Sequence, residues 1–154
     1  MGSGLNARIL IVESFGTNAK SLSGHMSNLG SPVFITTATD AISTMAQLQR
    51  EPVDLIIIDT CLKGKTDGFE LCRALRDSNN HRDIPIILLL SGYLSLERIK
   101  GISAGADLLL HRPVVKEELL KMVRLLLGAR SEWSESQSRA IPEDQPVRRL
   151  HSVA

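Results

Sequence analysis

The chain reads as an α/β protein, a doubly wound sandwich with a five-stranded parallel sheet covered by helices on both faces. Three observations predict this. Five short aliphatic runs recur at intervals of roughly 25 residues. Segments with apolar residues at helical spacing lie between them. The third run, Leu55-Ile56-Ile57-Ile58-Asp59, is continuously apolar and β-branched, as in a strand buried on both faces. Right-handed crossovers between such strands place helices on the two sides of the sheet.

The elements follow in order. The first strand is expected over 8–12 and the second over 32–36, with a helix over 18–29 between them that puts Leu22, Met26 and Leu29 on one side. A second helix over 40–49 aligns Ile42, Met45 and Leu48 behind Thr39 as its cap. After the third strand, 55–59, comes the turn Lys63-Gly64-Lys65-Thr66. Asp67-Gly68-Phe69-Glu70 then carries the pattern of an N-cap with its capping box, opening a third helix with Leu71 and Leu75 on one face. The fourth strand spans 84–90 and the fourth helix 95–104, ending near Gly105. The fifth strand covers 107–110. The fifth helix, 116–127, shows the clearest stripe, Leu119, Leu120, Met122, Val123 and Leu126, with Gly128 as its stop.

Composition bounds the function. The chain has 154 residues, 18 basic and 17 acidic, which gives no general attraction to nucleic acid or an anionic membrane. Its apolar runs are far shorter than a membrane span. Cys61 and Cys72 lack metal-type spacing and read as reduced thiols of a cytoplasmic protein. His25, His81, His111 and His151 are scattered, so neither a metal cluster nor a phosphotransfer histidine is expected. Residues 1–6 read as an N-terminal extension or a cloning remnant. Residues 7–128 form the domain, and the Ser- and Pro-punctuated stretch 129–154 reads as a flexible tail or linker.

Function is sought at the strand ends, because open parallel sheets place their chemistry outside the carboxyl edge. Strand one ends in Glu13-Ser14, strand three in Asp59, strand four near Ser91-Gly92 and strand five in His111-Arg112-Pro113. Two carboxylates, a hydroxyl and a guanidinium then share one cleft. Neighbouring carboxylates repel unless a cation or proton lies between them. A divalent ion with oxygen ligands, Mg²⁺ above all, answers that need. A cation, a hydroxyl and an aspartate are also what a phosphoryl group requires.

These residues, with Asp54-Leu55-Ile56-Ile57-Ile58-Asp59, Leu62, Gly64 and Asp67-Gly68-Phe69-Glu70-Leu71-Cys72, then Gly105-Ala106-Asp107, Arg112-Pro113 and Glu117-Glu118-Leu119-Leu120, resemble the receiver domain of two-component response regulators. Arg8-Ile9-Leu10-Ile11-Val12 ahead of an acid adds to the likeness, which covers roughly residues 7–127. The resemblance implies a flavodoxin-like (βα)5 fold with strand order 2-1-3-4-5. It implies Asp59 as acceptor of a phosphoryl group from a histidine kinase or phosphotransfer protein, with Ser91 and Arg112 contacting the phosphoryl oxygens. Mg²⁺ would be held by Asp59, Glu13 and the backbone carbonyl of Cys61, with Ser14 as an optional further ligand. It also implies a downstream effector or fused output domain, and a homodimer through the face of helix four, strand five and helix five as one option. Neither nucleic acid nor membrane would be bound directly. The domain would be no enzyme beyond gaining and losing its own phosphate.

Several positions depart from the family pattern. Strand one usually ends in two acids, and Ser14 takes the place of the second, which weakens the metal site. Arg112 stands where lysine is usual; it keeps the charge, and a resting pair with Asp59 is the competing structural reading. Alignment on Leu90-Ser91-Gly92 gives Ser91 the hydroxyl position, whereas counting forward from Pro85 gives that slot to Leu90. Leu109 replaces the usual switch aromatic, with Tyr93 as a candidate substitute. The alternative is therefore a pseudo-receiver that keeps the fold as a phosphorylation-independent interaction module. A flavin or nucleotide enzyme is not expected, since Ser14-Phe15-Gly16-Thr17-Asn18 forms no Gly-rich phosphate cradle. A phosphatase of the Asp-x-Asp type is not expected either, since Asp59 is followed by Thr60-Cys61 and not by a second acid.

Overall fold

A computed structural model describes residues 6–92 and 95–139, and of residues 17, 18 and 129–139 only the backbone. Five strands and five helices alternate: β1 (Ala7–Val12), α1 (Thr17–Met26), β2 (Val33–Ala38), α2 (Ala41–Arg50), β3 (Leu55–Asp59), α3 (Gly68–Asp77), β4 (Ile86–Leu90), α4 (Ser95–Ala104), β5 (Leu108–His111) and α5 (Lys116–Arg139). All strands are parallel, in the order β2-β1-β3-β4-β5. This is the doubly wound sandwich that the alternation predicts, with the flavodoxin-like strand order that the resemblance implies.

Strand alternation sorts the aliphatic residues between two cores. Leu10, Val12, Ile56, Ile58, Ile86 and Leu88 meet Leu48, Leu71, Cys72 and Leu75 beneath α2 and α3. Ile9, Ile11, Leu55, Ile57, Ile87 and Leu89 meet Leu22, Met26, Leu119, Val123 and Leu126 beneath α1 and α5. Burying each such Ile or Leu contributes about 1.5–3 kcal/mol. Every residue of β3 and β4 is buried, because those strands are covered on both faces.

Several boundaries differ from expectation. The cap of α2 is Asp40, not Thr39: its carboxylate accepts from Ser43 N–H at 2.8 Å, and the Ser43 hydroxyl accepts from Asp40 N–H at 3.1 Å. This reciprocal pair needs the residue three before Ser43, which Thr39 is not. The expected box on α3 is present, with Asp67 and Glu70 accepting from each other's backbone N–H. β2 runs on to Ala38, because its pairing with β1 continues to the Val12–Ala38 register. β4 starts at Ile86, after Pro85, which has no N–H for a ladder. α5 passes Gly128 and continues to Arg139, so that glycine is no stop. A glycine ends a helix by adopting a left-handed conformation, and Gly128 is not among the glycines with positive φ. Residues 140–154 of the expected tail lie outside the described residues, as does Tyr93.

Candidate functional site

Asp59 closes β3 with its side chain wholly buried. Its Oδ1 accepts the backbone N–H of Cys61 at 2.8 Å. Its Oδ2 forms an ion pair with Nη2 of Arg112, just after β5. The N–H of Arg112 donates to the carbonyl of Leu90 at 3.1 Å, which anchors the β5 end to the β4 end. Two strands not adjacent in the sheet therefore deliver the opposed charges to one point. The Arg112 side chain is 26% exposed, so its head is largely withdrawn from water. Burial lowers the guanidinium from its ordinary value, while the Glu13 carboxylate pushes it the other way. Arg112 is charged in either case.

The backbone around Asp59 is held tightly. Gly68 opens α3, and a Cβ there would lie 2.3 Å from the Asp59 carbonyl oxygen and 2.6 Å from Thr60 Cα. Its N–H donates to the Thr60 carbonyl at 3.0 Å. The Thr60 hydroxyl and N–H both donate to the Leu89 carbonyl, each at 3.1 Å. Gly68 is thus a steric requirement for seating α3 on the end of β3. Its place beside Asp67 in the sequence marked the turn but not this contact.

Glu13, at the end of β1, is 2% exposed. Its carboxylate turns back on its own chain. Oε2 accepts Phe15 N–H at 2.8 Å; Oε1 accepts Gly16 N–H at 2.7 Å and Ala19 N–H at 3.3 Å. Gly16 has φ of 75°, a left-handed turn that suits glycine, and Glu13 satisfies the amides that open α1. Ser14 points elsewhere. Its hydroxyl donates to the Thr39 carbonyl and accepts Lys63 N–H, both at 2.8 Å, so it ties the β2–α2 and β3–α3 loops together. Lys63 also covers the Phe15 ring, with its Nζ 4.9 Å from the centroid.

Ser91 is not brought to Asp59. Asp59 pairs with Leu89 in the sheet and Leu90 with His111, so Ser91 lies beyond the last ladder position. Its exposed hydroxyl donates to Glu97 Oε2 at 2.8 Å, and Gly92 N–H donates to Glu97 Oε1 at 3.3 Å. The wholly buried Leu90 ends the strand. Glu97 was not singled out from the sequence; an acid in the first turn of a helix looks like routine pairing with its dipole. Leu109 packs on α4, where a Cβ at Gly101 would come within 2.5 Å of Leu109 Cδ2.

The donors do not fit a hexacoordinate Mg²⁺ in this arrangement. That ion takes near-octahedral oxygen ligands. Here both Asp59 oxygens are engaged, one of them by a cation, and the Glu13 oxygens face three amides. Ser14 is committed to two loops. Among the described residues, no group of three or more His, Cys, Asp or Glu side chains is gathered to hold a metal ion.

With this geometry in hand, comparison with known proteins is specific. Residues 9–124 match the family described as response regulator receiver domain. The chain is similar to response regulator MprA of Mycobacterium leprae, 34% identical over 120 residues, which are 78% of this chain and 50% of that protein. It is similar to response regulator PleD of Caulobacter vibrioides, 31% identical over 122 residues, 79% of this chain and 26% of that protein. The chain thus spans half or less of the length of these curated relatives. Among solved structures it resembles the receiver domain of a sensor histidine kinase from Pseudomonas aeruginosa, which has a magnesium ion coordinated in its active-site cleft. The TM-score is 0.70 and the identity 28%, over 80% of this chain and 98% of that one. The chemotaxis response regulator CheY4 of Vibrio cholerae gives a TM-score of 0.69 at 27% identity, over 79% of this chain and 98% of that one.

Proposed function

Since the chain belongs to the response regulator receiver domain family, we propose that Asp59 accepts a phosphoryl group from a histidine kinase or phosphotransfer protein and thereby regulates a downstream partner. The single observation that carries this reading is the buried Asp59 carboxylate at the strand edge, paired with the Arg112 guanidinium. In the transfer, an Asp59 oxygen attacks the phosphorus of a phosphohistidine. The new P–O bond forms as the P–N bond breaks, and the imidazole leaves with the electron pair and takes up a proton from solvent. Positioning and charge neutralisation are what such a transfer needs from the protein. Arg112 supplies positive charge to the phosphoryl oxygens. Ser91 can donate to them only after its hydroxyl leaves Glu97. Mg²⁺, which the resemblance implies at Asp59, Glu13 and the Cys61 carbonyl, is not matched by these donors as arranged and enters no step of this transfer.

The receiver unit is taken as 7–128, with 129–154 as a tail or linker to an output. α4 exposes Leu96, Ile99 and Ile102, and α5 exposes Leu125, which supports the α4-β5-α5 face as the surface for an effector or a second copy. Among the described residues no helix is long and apolar enough to cross a membrane. A cytoplasmic location belongs to the same proposal. So does the absence of catalysis beyond self-phosphorylation and its reversal.

Incubation with acetyl phosphate, with and without Mg²⁺, tests the reading by intact mass. The expected result is a single phosphoryl adduct that Asp59→Asn abolishes. No adduct under any condition, with Asp59→Asn indistinguishable from the parent, would replace it with the pseudo-receiver reading.

A further inference from the structure

We infer that Arg112 is the resident cation of this site: its guanidinium neutralises Asp59 in place of a divalent metal ion, so an anion held on Asp59 needs no metal. This deepens the phosphoacceptor reading and rests on it for the identity of the anion.

A carboxylate with no solvent contact needs a cation or several hydrogen bonds to offset its lost hydration. Asp59 is fully buried and has one amide donor. The remaining compensation is the Arg112 pair. The second acid does not share in it as a free ligand, because Glu13 is turned to the amides of Phe15, Gly16 and Ala19. A divalent ion at Asp59 would sit beside a guanidinium already paired with its Oδ2, and like charges so close repel strongly where water is scarce.

The residue type suits the role. A guanidinium has five donors in a planar fork, so it can hold one carboxylate oxygen and still present N–H groups to neighbouring oxygens. When a phosphoryl group or its mimic sits on Asp59, the fork can move from the carboxylate to the new equatorial oxygens without leaving the cleft. The serine in place of a second acid fits the same scheme. A site whose cation is singly charged needs fewer anionic ligands, and Ser14 is free to serve as a loop tie instead.

Two measurements on the intact chain test this. In the first, Mn²⁺ is titrated and paramagnetic broadening of backbone amide signals is followed by NMR. The parent protein is expected to show no selective broadening at Asp59–Lys63. Arg112→Gln is expected to gain it, with affinity at least about ten-fold tighter, in line with removing one unit of like charge from the cleft. Amide signals of Arg112→Gln that match the parent outside the cleft separate loss of the charge from a general loosening of the fold. In the second, beryllofluoride is added in Mg²⁺ or in EDTA. The parent is expected to show the same amide shifts in both, and Arg112→Gln only in Mg²⁺. Selective Mn²⁺ binding by the parent as tight as that of Arg112→Gln would overturn the inference. So would beryllofluoride shifts in the parent that EDTA abolishes, though the phosphoacceptor reading would survive that result. A parent that takes no beryllofluoride in either medium removes the phosphoacceptor reading, and the Mn²⁺ titration still decides the role of Arg112.

Discussion

Asp59, Glu13 and Cys72 are polar or ionisable side chains that water scarcely reaches, and each is handled differently. Asp59 takes a cation, and Glu13 takes three amides. Cys72 has only a weak bond from its thiol to the Ala104 carbonyl, at 3.4 Å. Burial pushes the Cys72 thiol up to about 12, with Arg76 pulling it back somewhat and Asp107 adding to the rise. The thiolate is the nucleophile, so this thiol is inert at neutral pH while Cys61 lies exposed. A disulfide-exchange reagent at pH 8 is expected to modify Cys61 within minutes and Cys72 only after unfolding. Rapid reaction of both in the native protein would contradict the packing. The sign of the pH effect follows from the raised value. The folded state prefers the protonated thiol, so its contribution to stability is complete below the unfolded value near 9 and is lost as pH climbs toward 12. Urea midpoints should fall across that alkaline window, and Cys72→Ala should flatten the fall.

Glycines decide how closely elements approach, and two of them make opposite predictions. At Gly68 a methyl group would meet backbone, the Asp59 carbonyl oxygen at 2.3 Å, and backbone in a strand end cannot yield cheaply. At Gly101 it would meet the tip of the Leu109 side chain at 2.5 Å, which can change rotamer. Overpacking costs typically about 1–3 kcal/mol, a rotamer displacement about 0.5–1.5 kcal/mol, and alanine regains up to about 1 kcal/mol of helix propensity. Gly68→Ala is therefore expected to lose about 2 kcal/mol in urea unfolding and to weaken beryllofluoride binding by shifting Asp59. Gly101→Ala is expected to stay within about 1 kcal/mol of the parent, with amide shifts confined to α4 and β5. Equal losses at the two positions would refute this reading of the contacts.

Across the whole molecule, the edge of the sheet opposite Asp59 is closed by a buried ion pair. Arg76, near the end of α3, pairs with Asp107 at 2.5 Å, and both side chains are 8% exposed. The guanidinium also donates to the carbonyls of Gly105, Arg82 and Ile84, and Asp107 accepts Ile86 N–H at 2.8 Å. One side chain thus fastens α3 to the starts of β4 and β5, the strands that carry Leu89, Leu90 and Arg112 at their far ends. Removing one partner of a buried pair leaves the other charge uncompensated, which costs about 3–5 kcal/mol. Arg76→Ala should lose stability of that order by chemical denaturation, and Asp107→Asn less, since its amide oxygen can still accept Ile86 N–H. A loss below about 1 kcal/mol for Arg76→Ala would mean the closure is dispensable.

The sheet, its aliphatic strands, the Asp67–Glu70 capping box and the position of Asp59 were legible in the sequence, because periodicity and capping are local patterns. The pairing of Arg112 with Asp59 was visible only as one of two readings. The turning of Glu13 onto Phe15, Gly16 and Ala19, the bridging of two loops by Ser14, the capture of Ser91 by Glu97 and the Arg76–Asp107 closure were not legible. Each depends on where a polar side chain finds its partner, and that is set by strand register and loop packing between segments distant in the chain. Amino-acid order alone determined which residues reach the carboxyl edge of the sheet. Only the tertiary structure decided which of them face Asp59, because a buried charge is satisfied by the nearest donor or cation that packing permits.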